Sequence, residues 1–450
     1  MSKALRRVGR GIEHLVGSDL HPGEWHLVLL FFANLFLLLT AYYMLKVVRE
    51  PLILLGGGAV SRSYARGLQA GLLFLVIPIY GWLANRAEPA RLVKWIFGFF
   101  VASLGIFFGL GQLGVPIGFP FFVWLGIFST LSIAQFWSLA NDIMTEEEGK
   151  RLFPLIAAGG TIGGILGAQI AARALERLNP FHLMMMASGL LAVCMWLTHH
   201  CHRAGLGHRE RVPDGPPQER DERGGFGLLL GDRYLLLIAL SVLMLNFVNT
   251  TGDFILARMV NASAQALPAG ERKHYIGAFY GDFQTWVSTL TAVIQIVVVG
   301  RVFKKLGIGR ALLFLPFLAV VGYGASAALP LLAVVGTVKV LENSTDYSLQ
   351  NTIQQALFLP TSRDAKYKAK SAIDTLSVRL GDLVSTGLVV VGTALNFSTL
   401  GFAIVNVVMG LGWIWVSFNL RRRQMALSAA MAVAEVSVST STLAVVETRS

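Results

Sequence analysis

Long apolar segments, separated by short polar breaks, follow one another along most of the chain. Most of them are about 20 residues or longer, which is the length that an α-helix needs to cross the hydrocarbon core of a bilayer. The pattern predicts twelve membrane-spanning helices, approximately at residues 27–55, 63–84, 92–113, 119–141, 153–175, 180–202, 232–257, 275–300, 309–328, 330–358, 370–395 and 399–420. The predicted fold class is therefore an all-α polytopic membrane protein.

The longest polar stretch, residues 203–231, lies between the sixth and seventh predicted spans and is rich in Arg, Asp, Glu, Pro and Gly. It divides the spans into two predicted six-helix bundles, residues 25–202 and 232–420, and is itself a predicted cytoplasmic linker. Residues 1–24 place basic side chains beside apolar ones at helical spacing, which predicts an amphipathic helix on the cytoplasmic surface. Residues 421–450 form a predicted cytoplasmic tail.

The composition excludes an ordinary soluble protein. Of the 450 residues, 54% are hydrophobic and only 14% are charged, whereas a soluble domain carries about 25% charged residues. The apolar stretches are long and continuous, which excludes an outer-membrane type of barrel with its short alternating strands. The net charge of +12 is explained by Lys and Arg in cytoplasmic loops, so no nucleic-acid partner is predicted.

The basic residues of the loops also predict the orientation. With both termini in the cytoplasm, about 25 basic residues lie inside and about 7, among them Arg62 and Arg66, lie outside. This asymmetry predicts a multi-pass protein of the inner (cytoplasmic) membrane, surrounded by membrane lipid.

A short motif recurs at equivalent places in the two halves, after spans 2 and 8: a glycine, then a basic cluster, then an arginine ten residues after the glycine. Such clusters bind helix C-terminal carbonyls and partner carboxylates, and can hold one side of a rocking transporter closed. The predicted gating residues are Arg86, Arg91, Lys304 and Arg310. Two related six-helix halves are typical of major-facilitator transporters. The alternative is an ordinary basic cytoplasmic loop in each half.

Lys46, Arg49 and Glu50 interrupt the outer half of predicted span 1. Their spacing of three and four residues places them on one helix face. Ionisable residues inside a span usually face a cavity or a partner, so one interpretation is a site in which Glu50 neutralises one cation and leaves the other for a ligand. The other interpretation is that these side chains lie at the outer interface and snorkel towards water.

Polar and ionisable residues also interrupt three spans of the second half. They are Asn249 and Asp253 in span 7, Lys339, Glu342 and Asp346 in span 10, and Arg379 and Asp382 in span 11. A lipid-facing helix cannot carry such a set, so these residues must face a cavity or another helix. Substrate binding and structural salt bridges between helices both remain open.

No cofactor and no metal is predicted. Residues 199–202 read His-His-Cys-His, but they are consecutive at the end of a span, and a solvated helix end explains them better than a zinc site. Gly159, Gly163 and Gly167 in span 5 are four residues apart and resemble a dinucleotide fingerprint only superficially, because no strand precedes them. They predict instead a close contact between two helices.

Several segments resemble the bacterial and plastid ATP/ADP translocase family, a divergent relative of the major facilitators. They are YYMLKVVREPLIL, FWSLANDIMTEEEGKRLFPLIAAGG, YIGAFYGDFQT, DYSLQNTIQQALFLP and DAKYKAKSAID, in this order across roughly residues 30–400. The resemblance implies exchange of ATP for ADP, or uptake of related nucleotides.

The residues that the family associates with transport carry over in part. In this chain Arg49-Glu50 replaces the family's Lys-Asp in span 1, Leu125 replaces a Glu in span 4, and Asn249 replaces a Glu in span 7. Gln354-Gln355 replaces Lys-Glu in span 10, and Asp382 replaces a Lys in span 11. The first of these changes preserves the charges, and the last reverses the sign.

These features together predict a secondary active transporter that moves a nucleotide, such as ATP or ADP, or another small anionic metabolite by alternating access. Its predicted substrate site consists of the anion contacts Lys46, Arg49, Lys339 and Arg379, the counter-charges Glu50, Asp346 and Asp382, and Asn249. The runner-up is a transporter of a different small solute, coupled to protons through Asp346 or Asp382. A membrane partner or sensor that transports nothing is the third hypothesis. An enzyme is not predicted, because no nucleophile–base pair occurs inside the spans.

Overall fold

The computed structural model describes residues 24–84, 89–144, 146–209, 231–358, 361, 370 and 373–447. Helices make up nearly all of these ranges, which confirms the predicted all-α fold class. In chain order they are α1 Glu24–Ala84, α2 Pro89–Gln112, α3 Gly118–Ile143, α4 Glu146–Ala174, α5 Pro180–Arg209, α6 Arg233–Gln265, α7 Ala269–Val293, α8 Val299–Ala311, α9 Phe314–Ala328, α10 Leu332–Thr345, α11 Asn351–Leu357, α12 Val378–Ala394 and α13 Thr399–Glu447.

Helix α1 contains the first two predicted spans and is broken between them at Gly58. This glycine has φ 68° and ψ −170°, a backbone conformation that is open to glycine and strained for other residues. The predicted polar break between spans 1 and 2 is therefore a single backbone break, and α1 consists of two helical rods.

Within the described residues, nine helices are long and apolar enough to cross a membrane, so the predicted count of twelve is not confirmed. Three physical reasons account for the difference. Helix α1 unites two predicted spans, and α9 is apolar but has only 15 residues. The tenth predicted span is divided between α10 and α11 by an irregular segment, Asp346–Gln350.

That irregular segment is one of three π-helical segments in the described part of the chain. The other two are Ile294–Val298, between α7 and α8, and Ile373–Ser377, directly before α12. A π-helical turn widens the helix and changes the direction of the following side chains, and such turns are frequent at functional sites. The polar predicted spans 10 and 11 each carry one.

The chain forms two compact units. The first unit comprises Met1–Pro217 with Val260–Thr289, and the second comprises Gln218–Met259 with Leu290–Ser450. The core of the first unit is aromatic: Trp124 stacks on Phe121 and Phe128, at ring-centroid distances of 5.6 and 5.5 Å. The boundaries of the predicted bundles, linker and tail stay predictions.

The second unit has a separate apolar core. Its most enclosed side chains include Tyr234, Leu312, Ile353 and Leu420, which are at most 2% exposed. Tyr234 at the start of α6 also donates a hydrogen bond from its hydroxyl to the carbonyl of Leu357 at the end of α11, at 2.7 Å. These contacts pack the start of α6 against the end of α11. Both helices also carry polar residues.

The glycines of α4 make the close helix contact that their spacing predicts. A Cβ atom at Gly159, Gly163 or Gly167 would overlap the main-chain carbonyl of Phe32, Phe36 or Thr40 in α1, respectively. Since these neighbours are backbone atoms, they cannot turn aside as a flexible side chain does. The two helices therefore pack directly through their backbones, as small residues permit in membrane proteins.

We predict that Gly163→Ala lowers the melting temperature of the purified protein in detergent. The added methyl group overpacks the contact with Phe36, and overpacking costs about 1–3 kcal/mol. The matched control is Gly105→Ala in α2, where a Cβ meets no atom within 4 Å and where alanine raises helix propensity. Equal melting temperatures for the two variants would contradict the assignment of this contact.

Candidate functional site

The first unit contains a buried charged cluster, which we call the cationic cluster and define as Arg49, Glu50 and Arg62. Glu50 is 2% exposed and lies between two arginines. Its Oε1 accepts a hydrogen bond from Nη2 of Arg49 at 2.5 Å, and its Oε2 accepts one from Nε of Arg62 at 2.8 Å. The predicted pairing of Arg49 with Glu50 is confirmed.

The break in α1 makes the second of these contacts possible. A straight helix would separate residues 50 and 62 by about 18 Å, whereas the Arg62 Nε lies 2.8 Å from a Glu50 oxygen. The backbone break at Gly58 lies between the two residues. One carboxylate therefore ties together the two rods of α1.

Phe122 of α3 forms one wall of the cationic cluster. The guanidinium carbon of Arg49 lies 4.1 Å from the centroid of the Phe122 ring, and that of Arg62 lies 5.8 Å from it. A ring face at such distances attracts a cation through its quadrupole. Lys46 lies 5.1 Å from the ring centroid of Tyr43, one helical turn before the arginine.

The burial of this cluster decides between the two interpretations of span 1. Arg49 is 9% exposed and Arg62 is 7% exposed, so neither arginine extends to the surface. The interpretation that Arg49 and Glu50 snorkel towards water is therefore wrong. Both arginines contact the one carboxylate of Glu50.

Sequence reasoning missed Arg62, which it assigned to an outer loop. The residue stands 12 positions after Glu50, and helical spacing rules apply only within one continuous helix. The available signal was the charge balance of span 1, where Lys46 and Arg49 accompany the single carboxylate of Glu50. This balance does not indicate which residue outside the span also contacts Glu50.

The second unit contains another charged cluster, which surrounds the buried Lys339. We call it the Lys339 cluster, and it consists of Asn249, Asp253, Lys339, Glu342 and Asp346. Lys339 is 0% exposed. Its Nζ donates hydrogen bonds to the main-chain oxygen and to Oδ1 of Asn249, at 3.1 and 2.6 Å. It also lies 3.3 Å from Asp253 Oδ1 and 3.2 Å from Glu342 Oε2.

Two further hydrogen bonds close the Lys339 cluster. The Nδ2 of Asn249 donates to Oδ2 of Asp346 at 3.4 Å, so one amide connects the lysine with a second carboxylate. The hydroxyl of Tyr323 in α9 donates to Glu342 Oε2 at 2.5 Å. Gly252 permits this approach, because a Cβ there would overlap the Tyr323 hydroxyl.

A separate polar contact joins α6 to α12. Asp382 accepts a hydrogen bond from Thr250 Oγ1 at 2.6 Å, and its other oxygen lies 3.7 Å from Arg379 Nη1. Thr251 and Ser385 share a further hydrogen bond of 2.8 Å. The predicted pair Arg379–Asp382 thus forms a helix contact in the second unit.

The structure brings the predicted substrate residues together in groups. Arg49 and Glu50 share the cationic cluster of the first unit, whereas Lys46 lies beside the Tyr43 ring. Asn249, Lys339 and Asp346 share the Lys339 cluster of the second unit, and Arg379 pairs with Asp382. Lys339 was predicted as an anion contact, and in the structure protein acceptors surround its ammonium group. The substrate role of each of these residues stays a prediction.

The predicted gating residues are described only in part. Arg86 lies outside the described residues, and for Arg91 only the helical backbone of α2 is described. Lys304 and Arg310 are exposed on α8, on either side of Gly307, whose φ of 72° breaks the helix. Their gating role stays a prediction.

Helix α11 contains Gln354 and Gln355, at the positions where the resemblance implies Lys-Glu. Lys370 donates a hydrogen bond to Oε1 of Gln355. A cation therefore lies beside this position, although it comes from a different part of the chain. The sequence motif alone gives no indication of this contact.

The chain was compared with protein families and with known proteins. The model of the family described as TLC ATP/ADP transporter matches residues 220–424. The ADP,ATP carrier protein 1 of Chlamydia trachomatis is 23% identical over 483 residues, with 88% of each chain covered. The matching family and relatives are transporters, and they agree with the resemblance seen in the sequence.

Solved membrane transporters have the same fold. A bacterial homologue of the iron transporter ferroportin, in an inward-facing state, has a TM-score of 0.63 at 14% identity, over 87% of this chain and 100% of that chain. The nucleoside transporter NupG has a TM-score of 0.60 at 12% identity, over 89% and 98% of the two chains. At these identities the likeness shows the fold alone.

We predict that Glu50→Gln lowers the stability of the purified protein, because it removes the negative charge that both buried arginines contact. Removal of one partner from a buried ion pair costs about 3–5 kcal/mol. The double variant Glu50→Gln/Arg62→Gln should lose less stability than the sum of the two single variants, since it removes a cation together with the carboxylate.

Thermal unfolding in detergent measures this effect. The control is Glu176→Gln, the same chemical change at an exposed residue. Strict additivity of the two single variants would show that Glu50 and Arg62 do not act as a pair.

Proposed function

We propose that the chain exchanges ATP for ADP, or moves a closely related nucleotide, as a secondary active transporter of the ATP/ADP translocase type. The family match, the carrier relatives and the fold shared with solved transporters all support this function. The protein crosses the membrane several times, and we propose the inner membrane as its location, with both termini in the cytoplasm. Transport proceeds by alternating access, in which the binding residues are exposed to one side of the membrane and then to the other.

The observation that carries the proposal is the pair of buried arginines in the cationic cluster. Arg49 and Arg62 are at most 9% exposed, and both donate hydrogen bonds to the Glu50 carboxylate. Buried guanidinium groups favour an anionic ligand, because the anion replaces solvation that they have lost. The phosphate groups of a nucleotide are anions of this kind.

The guanidinium groups favour phosphate over a simple carboxylate ligand. An arginine donates two parallel hydrogen bonds to a phosphate, and this fixes the orientation of the ligand as well as its charge. In the structure both arginines use such donors on Glu50. We propose that the nucleotide phosphates compete with Glu50 for these donors, so that Glu50 holds the arginines in position when substrate is absent.

The Lys339 cluster supports a different role in the same transport cycle. Lys339 and Arg379 were predicted as anion contacts from the second half, but each lies beside carboxylates of its own unit. Their positive charge is offset within the protein. The proposal therefore assigns phosphate binding mainly to the cationic cluster of the first unit.

One observation favours the second candidate function, transport of a different small solute. Leu125, where the family has a glutamate, is 0% exposed and belongs to the apolar core of the first unit. An apolar side chain there cannot form the polar contact that a glutamate would form. The substrate of this chain is therefore expected to differ in some contact from that of the family's ATP/ADP exchangers.

The test is nucleotide exchange by the purified protein in liposomes. Labelled ADP outside should exchange for ATP inside, and Lys46→Gln should raise the concentration of ADP at half-maximal rate about tenfold, which corresponds to about 1.4 kcal/mol. Arg49→Lys should also weaken binding, because it keeps the charge but loses the two parallel hydrogen bonds.

Arg177→Gln is the control, since it removes a positive charge from an exposed residue and should leave the exchange unchanged. An absence of exchange of either nucleotide by a folded protein would exclude ATP/ADP exchange and favour the second candidate function.

A further inference from the structure

We propose that one end of the membrane-spanning part of α13, together with the neighbouring end of α8, binds the headgroup of an anionic phospholipid from the surrounding bilayer. We call this surface the basic patch, and it consists of Lys304, Lys305, Arg310, Arg421, Arg422 and Arg423. The basic patch belongs to the second unit alone and shares no residue with the cationic cluster or the Lys339 cluster. The proposal does not depend on the proposed nucleotide exchange.

A row of exposed apolar side chains on α13 leads to the basic patch. These side chains stand three or four residues apart and therefore share one helix face; they are Ile404, Val408, Leu411, Trp415 and Phe418. Each is at least 40% exposed, although Thr399–Leu427 is long and apolar enough to cross a membrane. An exposed apolar face on a membrane-spanning helix is solvated by lipid acyl chains. The row therefore provides the surface along which an acyl chain lies.

The row ends at an arginine of the basic patch. Arg422 follows Phe418 by four residues, and its guanidinium carbon lies 4.6 Å from the centroid of the Phe418 ring. At this distance the ring face attracts the cation. Trp415 comes one helical turn earlier and is 66% exposed, as is common for tryptophan near the level of the lipid headgroups. The guanidinium group thus lies where an acyl chain on this row would join its headgroup.

Helix α8 adds cations at the same place. A Cβ atom at Gly309 would lie 3.0 Å from Cγ of Arg421, so the two helices meet at the first arginine of α13. Arg310 follows Gly309 directly and is exposed, as are Lys304 and Lys305 earlier in α8. Two basic helix ends therefore meet at the basic patch.

The sequence supplies no acidic residue to either helix end. No Asp or Glu occurs from residue 283 to 341 or from 383 to 434. The start of α6 packs into the same apolar core through Tyr234, but there the exposed Asp232 is followed directly by the exposed Arg233, so that this helix end adds no net charge. Basic clusters beside a membrane-spanning helix attract anionic lipids, by about fivefold in affinity for each Lys or Arg near the surface.

An anionic phospholipid is the ligand that matches both features at once. A neutral phospholipid has acyl chains for the apolar row but no net charge for the basic patch. Free phosphate has the charge but no apolar part. Arginine donates parallel hydrogen bonds to phosphate oxygens, and the phosphodiester of an anionic lipid provides these oxygens next to its acyl chains.

Quenching of tryptophan fluorescence by brominated lipids tests this site in the full-length protein. In vesicles of phosphatidylcholine, a small share of brominated phosphatidylglycerol should quench the protein more than the same share of brominated phosphatidylcholine. The anionic lipid should be concentrated beside Trp415, so Trp415→Phe should reduce this difference between the two lipids. Equal quenching by the two lipids in the wild-type protein would overturn the proposal.

Substitutions in the basic patch test its charge. Arg421→Gln/Arg422→Gln should lower the preference for phosphatidylglycerol at least fivefold, whereas Arg421→Lys/Arg422→Lys should keep most of it. The matched control is Arg173→Gln/Arg177→Gln, which removes two charges from exposed residues of the first unit and should leave the contribution of Trp415 unchanged.

Three results would contradict the proposal, and none of them requires transport. The first is an unchanged preference in the folded glutamine variant, and the second is an equal loss in the control variant. The third is loss of the preference when inorganic phosphate is added at constant ionic strength, since free phosphate and not a lipid would then occupy the basic patch. If the glutamine variant does not fold, the Trp415→Phe comparison still decides whether the anionic lipid collects at this end of α13.

Discussion

The structure depends on one constraint, which is that an ionised side chain inside a membrane needs a partner of opposite charge. The two clusters satisfy it by joining distant parts of the chain. Glu50 ties together the two rods of α1 through Arg49 and Arg62. Lys339 ties α10 to α6 through Asp253 and Asn249. The charged residues thus fix which helices pack together, in addition to any role in binding.

Neither cluster is a simple ion pair. In the first unit the two arginines of the cationic cluster share Glu50, and in the second unit Lys339 lies within 3.3 Å of carboxylate oxygens of both Asp253 and Glu342. Loss of one partner from such a cluster is destabilising, because it leaves a buried charge with less compensation. Under the proposed function, an anion that takes donors from Glu50 acts on both rods of α1.

Hydropathy predicted the helical class and most span positions because burial in lipid depends on local composition alone. Local spacing also predicted the Arg49–Glu50 pair and the shared face of Lys339 and Glu342. It could not predict Arg62, which reaches Glu50 only through the backbone break at Gly58. Nor could it show that Asn249 and Asp253 lie against Lys339. Asn249 precedes Lys339 by 90 residues, and local spacing predicts no contact over such a separation.

Asn249 shows why a position can differ from the family pattern without losing a role. Where the family has a glutamate, this chain has an amide that accepts from Lys339 and donates to Asp346. A glutamate at this place would be an acceptor only when ionised, so it could not donate to Asp346 and would add a fourth carboxylate to the cluster. The amide binds the lysine and the carboxylate at once and adds no further negative charge.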